Sequence, residues 1–176
     1  MELDTLIPNL RKFTKIIVTG PQRSGTTIAA RIIAADLGYE EVLEETFDYD
    51  DLYKFSKILS SKQSFVVQAP CLSSIAHFLN RGEDVAIVFL IRDNEDIRKS
   101  VLRVGWDTYA RSEYSKYFRF NQVVPIWELK KDIWFRYQKE ALSGRGFELD
   151  YESMKGHKMW VESGDRKNFH TRQTSR

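Results

Sequence analysis

The residues best placed for chemistry stand in the run G-P-Q-R-S-G-T-T, Gly20 to Thr27. It follows a β-branched stretch, Ile16, Ile17 and Val18, and leads into a segment whose Ile28, Ile32 and Ile33 fall on one helical face. Strand, glycine turn and helix in that order make a phosphate cradle. Loop amides and the helix N-terminus converge on one spot, and the helix dipole favours an anion there. The spacing is that of the nucleotide P-loop, G-x-x-x-x-G-K-[ST], with Thr26 in the lysine position and Thr27 in the hydroxyl position. Arg23 supplies a cation from within the loop, and Gln22, Ser24 and Gly25 complete it. The missing lysine is informative, because a nucleotide triphosphatase sets it against the β- and γ-phosphates. A glycine turn joining a strand to a core helix is the plain alternative, so the assignment needs a second site.

That second site follows the strongest strand in the chain, VAIVFLI, Val85 to Ile91. Continuous apolarity means burial on both faces, hence the centre of a parallel sheet. Arg92 then leaves the carboxyl edge, where α/β sheets bind ligands. Its planar guanidinium suits phosphate. Asp93 or Asn94 is placed to cap a following helix, with Asp96 in the capping-box position. Ile97, Val101 and Leu102 give that helix a buried stripe, and Ser100 adds a hydroxyl. A helix-surface ion pair of Arg92 or Arg98 with Asp96 is the alternative for this stretch alone. The acidic run EEVLEETFDYDD, Glu40 to Asp51, contains no basic residue and reads by its charge as a solvated face.

Taken in order, these stretches resemble the sulfotransferases that use 3′-phosphoadenosine 5′-phosphosulfate (PAPS). R-S-G-T-T after a strand is similar to their 5′-phosphosulfate loop. R-D-N-E-D-I-R-K-S, Arg92 to Ser100, is similar to their 3′-phosphate motif, an arginine followed eight residues later by a serine. Y-E-S-M-K, Tyr151 to Lys155, is similar to their Y-E-D-M-K segment, and Glu44-Glu45-Thr46 to the E-E-T of the tyrosylprotein branch. The resemblance implies that Arg23 neutralises the bridging and leaving phosphate oxygens. It implies that Thr26 and Thr27 hold the 5′-phosphate, and that Arg92 and Ser100 grip the 3′-phosphate beside Tyr151. It makes the second glutamate, Glu45, the general base. The spacing is one residue off, which leaves Glu44 open. Gly164, Asp165 and Lys167 partly match the family's closing G-D-W-K segment, without the R-K-G that precedes it, and Arg166 and Lys167 would add cations there. Gln68-Ala69-Pro70 lacks the lysine and the histidine that many members carry after the corresponding strand. His77, further on in an apolar stretch, reads as a structural residue.

The elements that must position these residues alternate between strand and helix. That order predicts a three-layer α/β sandwich with a central parallel sheet of about five strands, P-loop NTPase-like, in a single domain over 1–176. Residues 1–14 read as a lead-in with a turn at Pro8-Asn9. Leu52 to Ser60 reads as an amphipathic helix on Leu52, Phe55, Ile58 and Leu59. Ile126 to Leu142 reads as the last long helix, with a core stripe of Ile126, Leu129, Ile133, Trp134, Tyr137 and Ala141 and no cofactor box. Residues 105–125 are aromatic and basic, a lid or acceptor segment, and 164–176 form a basic tail.

Composition bounds the rest. The chain has 176 residues, 42% hydrophobic and 30% charged, with a net charge of +2, too small to argue for nucleic acid or membrane. Cys71 is the single cysteine, which excludes an intramolecular disulfide framework. No apolar run has the length of a membrane span, and MELDTLIPNLRKF lacks a signal-peptide core. The expectation is a cytoplasmic enzyme. It moves a sulfuryl group from PAPS to the hydroxyl or amine of a small-molecule, glycan or peptide acceptor, leaving adenosine 3′,5′-bisphosphate. No metal is expected, since the sequence has no Cys/His cluster. Nucleic acid and membrane are not expected partners, and the oligomeric state is open. The alternatives are a P-loop kinase or NTPase, and a non-catalytic nucleotide-binding module.

Overall fold

The computed structural model describes residues 1–49, 51–79, 82–105 and 125–160. Residues 106–124 of the expected lid at 105–125, and the tail at 164–176 with Arg166 and Lys167, lie outside the described residues. The elements are α1 (Leu3–Leu10), β1 (Lys15–Thr19), α2 (Thr26–Leu37), β2 (Glu40–Val42), α3 (Leu52–Leu59), β3 (Phe65–Gln68), α4 (Ala76–Leu79), β4 (Val85–Ile91), α5 (Asn94–Arg103), α6 (Ile126–Ile133) and β5 (Gly146–Asp150). Short 3-10 turns cover Glu44–Phe47, Pro70–Ile75 and Tyr151–Met154.

The sheet has five strands in the order β2-β3-β1-β4-β5, and every pairing is parallel. Helices cover both faces, so the fold is the P-loop-like three-layer α/β sandwich. Strand geometry divides the apolar residues between the layers. Ile16 and Val18 of β1, with Ala86, Val88 and Leu90 of β4, pack against α1 and α2. Ile17, Ile87 and Phe89 face the opposite layer, with Phe47, Phe55, Leu72 and Trp134. The chain leaves β1 toward β2 on one side and returns through β3 to β4 on the other. The carboxyl ends of β1 and β4 therefore flank the point where the strand order reverses, where such sheets form a crevice.

The sequence reading needs correction at three helices. The lead-in is a helix, α1, with Pro8 inside it rather than a turn at Pro8-Asn9. Proline inside a helix costs about 3 kcal/mol. Leu3, Leu6 and Leu10 are all buried, and each contributes roughly 1.5–3 kcal/mol, which outweighs that cost. In α3 Phe55 is buried and Ile58 and Leu59 pack partly buried against the core as expected, but Leu52 stands in solvent. The helix expected over Ile126 to Leu142 contains a π turn, Trp134–Gln138, in which Lys139 N–H bonds back to Trp134 O. The extra residue in that turn shifts the inward face by one position. Gln138 and Leu142 are buried where Tyr137 and Ala141 were expected, and Tyr137 is 65% exposed. Trp134 keeps its place and stacks on Phe89, centroids 4.6 Å apart.

Candidate functional site

The glycine loop hangs between the end of β1 and the start of α2. Gly20 has φ 140° and Gly25 has φ 101°, both left-handed values that L side chains rarely adopt. Arg23 also has a positive φ, 68°, a strained value for a residue with a Cβ. Gly25 is required for a second reason: a Cβ there would lie 2.5 Å from the ring of Tyr151. Ser24 N–H closes the turn on Pro21 O at 3.1 Å. The α2 ladder includes Ala29 N–H to Gly25 O at 3.0 Å, and no side chain caps the helix N-terminus. The first-turn amides precede that bond and have no carbonyl of their own helix to meet. Ser24 is fully buried with its Oγ unpartnered, inside the same turn.

On the β4 side the two sequence motifs meet. Arg92 Nη1 donates to Arg23 O at 2.9 Å, across 69 positions of sequence. Arg23 Nε donates to Ser100 Oγ at 3.1 Å. That bond occupies a lone pair of the hydroxyl and leaves its proton to donate elsewhere. Arg92 lies over the Tyr151 ring, 4.1 Å from the centroid, while its Nε is buried without a partner. Tyr151 is buried between Gly25, Arg92 and Trp160. Asp93 makes the cap of α5, accepting from Glu95 N and Asp96 N. Ile97 and Val101 pack α5 against Ile126 and Trp127 of α6, Ser100 is buried on the same helix, and Leu102 faces outward. Arg23, Gly25, Arg92, Ser100 and Tyr151, all singled out from sequence, thus form one contiguous patch.

The β3 side is different in kind. Thr26 is buried, and its Oγ1 accepts from Gln68 Nε2 at 3.3 Å. Gln68 Oε1 in turn accepts from Glu44 N–H at 3.1 Å. Gln68, on the last position of β3, thereby ties α2 to the acidic turn. Of the two candidate bases, Glu44 is half-buried and Glu45 is exposed. Burial raises the Glu44 carboxyl above its usual value, opposed by a hydrogen bond with Cys71 and reinforced by the Glu45 charge. Burial and the Glu44 charge push the Cys71 thiol up to about 12. Thr27 stands partly exposed on the first turn of α2.

Lys130, unnoticed in the sequence, lies in this side of the site. Its Nζ donates to Gln22 Oε1 of the glycine loop and, at 2.9 Å, to Pro70 O at the end of β3. The side chain is 1% exposed, and burial pulls its amine down to about 8, with Cys71 and Glu44 pulling the other way. Next to it, Lys131 Nζ donates to Arg92 O and Asn94 Oδ1. A sequence signal existed: Lys130 occupies the i+4 position of the apolar stripe that starts at Ile126, where a surface helix carries no charge. His77 lies outside the site; its Nδ1 is buried without a partner, and burial lowers its pKa.

No protein-family model matches the chain, and no curated protein matches it. Among solved structures, the shikimate kinase from Acinetobacter baumannii in complex with shikimate aligns over 81% of this chain and 86% of its own, at 14% identity and TM-score 0.46. The mouse sulfotransferase SULT7A1 complexed with PAP aligns over 88% of this chain, at 15% identity and TM-score 0.43. The chain covers 59% of the length of that sulfotransferase. At such values the likeness concerns the course of the backbone and says nothing of chemistry.

Proposed function

We propose that this chain is a transferase that moves a sulfuryl group from PAPS to a hydroxyl or amine acceptor. The observation that carries the reading is the junction of Arg23, Arg92 and Ser100. Two arginines and a serine hydroxyl, from two distant motifs, are joined by hydrogen bonds at the reversal point of the sheet. They give one cradle a second anion-binding corner, which suits a donor with phosphates at both ends of its ribose. The uncapped α2, the unpartnered Ser24 Oγ and the unpartnered Arg92 Nε are polar groups that such a donor would satisfy.

In this reading the S–O bond to the 5′-phosphate breaks, and its electron pair stays on the phosphate oxygen. The sulfuryl group passes in line to the acceptor oxygen or nitrogen. Positioning and charge stabilisation carry most of the catalysis, by analogy with phosphoryl transfer. Arg23 and the loop amides neutralise the leaving phosphate. Gln22, Thr26 and Thr27 line the 5′-phosphosulfate end, and Tyr151 packs the 3′-phosphate end. The acceptor proton goes to a carboxylate of the Glu44-Glu45 pair. Burial and a raised pKa favour Glu44 for that role, since a base tuned upward works nearer neutral pH.

The test is calorimetric binding of adenosine 3′,5′-bisphosphate beside ADP, each with and without magnesium. Tight, magnesium-independent binding of the bisphosphate with little of ADP is the expected result. Preference for ADP or ATP with magnesium would favour the second reading, a P-loop kinase. One observation supports that alternative: Lys130 brings to the loop, from another helix, the cation that Thr26 does not supply.

A further inference from the structure

A buried ammonium needs a compensating anion, because desolvating a lone charge is costly. Among the described residues Lys130 has no ion-pair partner, and only the charge of the Glu44 carboxyl, acting through space, supports its ammonium. Its two hydrogen-bond acceptors, Gln22 Oε1 and Pro70 O, are both neutral. No carboxylate of the described residues comes within 4.0 Å of its Nζ, although several other lysines have such partners. The two acceptors leave one of its N–H groups over. The amine stands where the glycine loop, the turn after β3 and the Glu44 turn converge.

We propose that Lys130 binds the transferred group itself: its ammonium holds the terminal tetrahedral anion of a donor seated in the Gly20–Thr27 loop, in place of the lysine the loop lacks. Nothing in the sequence motifs assigns this residue. The inference rests on the reading of the loop as an anion cradle, and it holds for a sulfuryl or a phosphoryl group alike. Arg92 and Ser100 grip the far end of the donor, and Lys130 serves the end that reacts. Gln22 then acts as the hinge contact, holding the amine against the loop until the anion takes over the third N–H.

The titratable groups facing Lys130 are the Cys71 thiol and the Glu44 carboxyl. Between pH 7 and 9.5 the thiol, pushed up to about 12, stays protonated. Inorganic sulfate is a suitable probe, because it stays a dianion over that range. Sulfate affinity of the full chain, followed by amide chemical shifts, is expected to fall by roughly 7-fold from pH 7 to pH 9.5, as an amine with a midpoint near 8 loses its proton. Lys130→Met is expected to bind weakly and without that pH dependence. A measurement on the unaltered chain guards against misfolding of the variant. The Cε resonance of labelled Lys130 is expected to titrate near 8 alone and about one unit higher in saturating sulfate. Sulfate binding that ignores pH, or a Lys130 midpoint that ignores sulfate, overturns the proposal.

The donor is named by a second arm. Lys130→Met is expected to weaken PAPS but not adenosine 3′,5′-bisphosphate, which lacks the transferred group. Selective loss of ATP relative to ADP instead would keep the role of Lys130 and overturn the sulfotransferase reading. Equal loss within both pairs would make Lys130 a structural residue.

Discussion

The two flanks of β1 are built on different principles. On the β4 flank, charge is carried by guanidiniums: Arg92 lies on the Tyr151 ring and bonds the loop carbonyl, and Arg23 reaches Ser100. Arginine stays protonated at any working pH and binds through its geometry. On the β3 flank, the charged groups are ones whose protons are labile. Glu44 is raised, Cys71 is pushed up to about 12, and Lys130 is pulled down to about 8. The first flank is suited to gripping a fixed anion, the second to handling a proton and a changing charge. Groups with displaced pKa values gather where chemistry is done, and the proposed reading accordingly puts the reactive end of the donor on the β3 side.

The sharpest break between the flanks is expected from Glu44→Gln. Turnover should fall by about 100- to 10,000-fold, the range for losing a general base. Affinity for adenosine 3′,5′-bisphosphate should be unchanged. The sign on stability is opposite. The folded pKa of Glu44 is raised, so stability is present while the carboxyl is protonated and declines as pH rises through the folded value. The amide avoids that loss, and the melting temperature at neutral pH should rise. If Glu45→Gln abolishes turnover while Glu44→Gln leaves it intact, the base is Glu45, as the family spacing implies.

Arg92→Ala tests the other flank. Adenosine 3′,5′-bisphosphate should bind on the order of 100-fold more weakly, the value of a charge-assisted contact. Adenosine 5′-phosphosulfate, which lacks the 3′-phosphate, should lose much less. Equal weakening of both would reduce Arg92 to a support of the Arg23 carbonyl.

Gly25→Ala joins the comparison through Tyr151. The left-handed φ of 101° costs about 1–3 kcal/mol for a side chain. The Cβ also meets the Tyr151 ring at 2.5 Å, which must shift and carry Arg92 with it. Denaturant unfolding should show the loss, and Tyr151→Leu in the same chain should recover part of it. Full additivity of the two changes would mean that the ring and the loop are not coupled.

The smallest effect lies in the pH dependence of stability. Between pH 8 and 9 the native state binds fewer protons at Lys130 than the unfolded chain, whose lysine titrates at 10.5. Stability therefore rises with pH in that interval, by up to ~1 kcal/mol. The unfolded thiol, with its midpoint at 9.0, begins to ionise in the same interval while native Cys71 does not, which offsets part of the gain and, further above pH 9, reverses it. Lys130→Met should flatten the rise from pH 8 to 9, read as melting temperature against the unaltered chain.

Much of the β4 flank was legible in the sequence, because its residues sit in contiguous runs at fixed spacings. Gly20 to Thr27 and Arg92 to Ser100 each span one strand end and one helix start, so local geometry alone aims them at the carboxyl edge. The β3 flank was legible only at Thr26 and, through the E-E-T resemblance, at the Glu44-Glu45 pair. Gln68, Cys71 and Lys130 come from separate elements, and each alone looks like a strand end, a lone thiol or a helix lysine. Tyr137 and Ala141 were misplaced for a related reason: a π turn leaves no periodic trace before it forms.

The sequence alone determined the alternation of strand and helix, the left-handed glycine loop and the parallel, doubly covered sheet. Those follow from periodicity, apolar runs and glycine's freedom at positive φ, which are local properties of the chain. Tertiary structure alone decided which layer each apolar strand residue faces, that α1 forms in spite of Pro8, and that Lys130 is buried against the loop. Each of those outcomes depends on what packs against the residue, and burial, which displaces its proton and sets its partners, exists only after the helices close over the sheet.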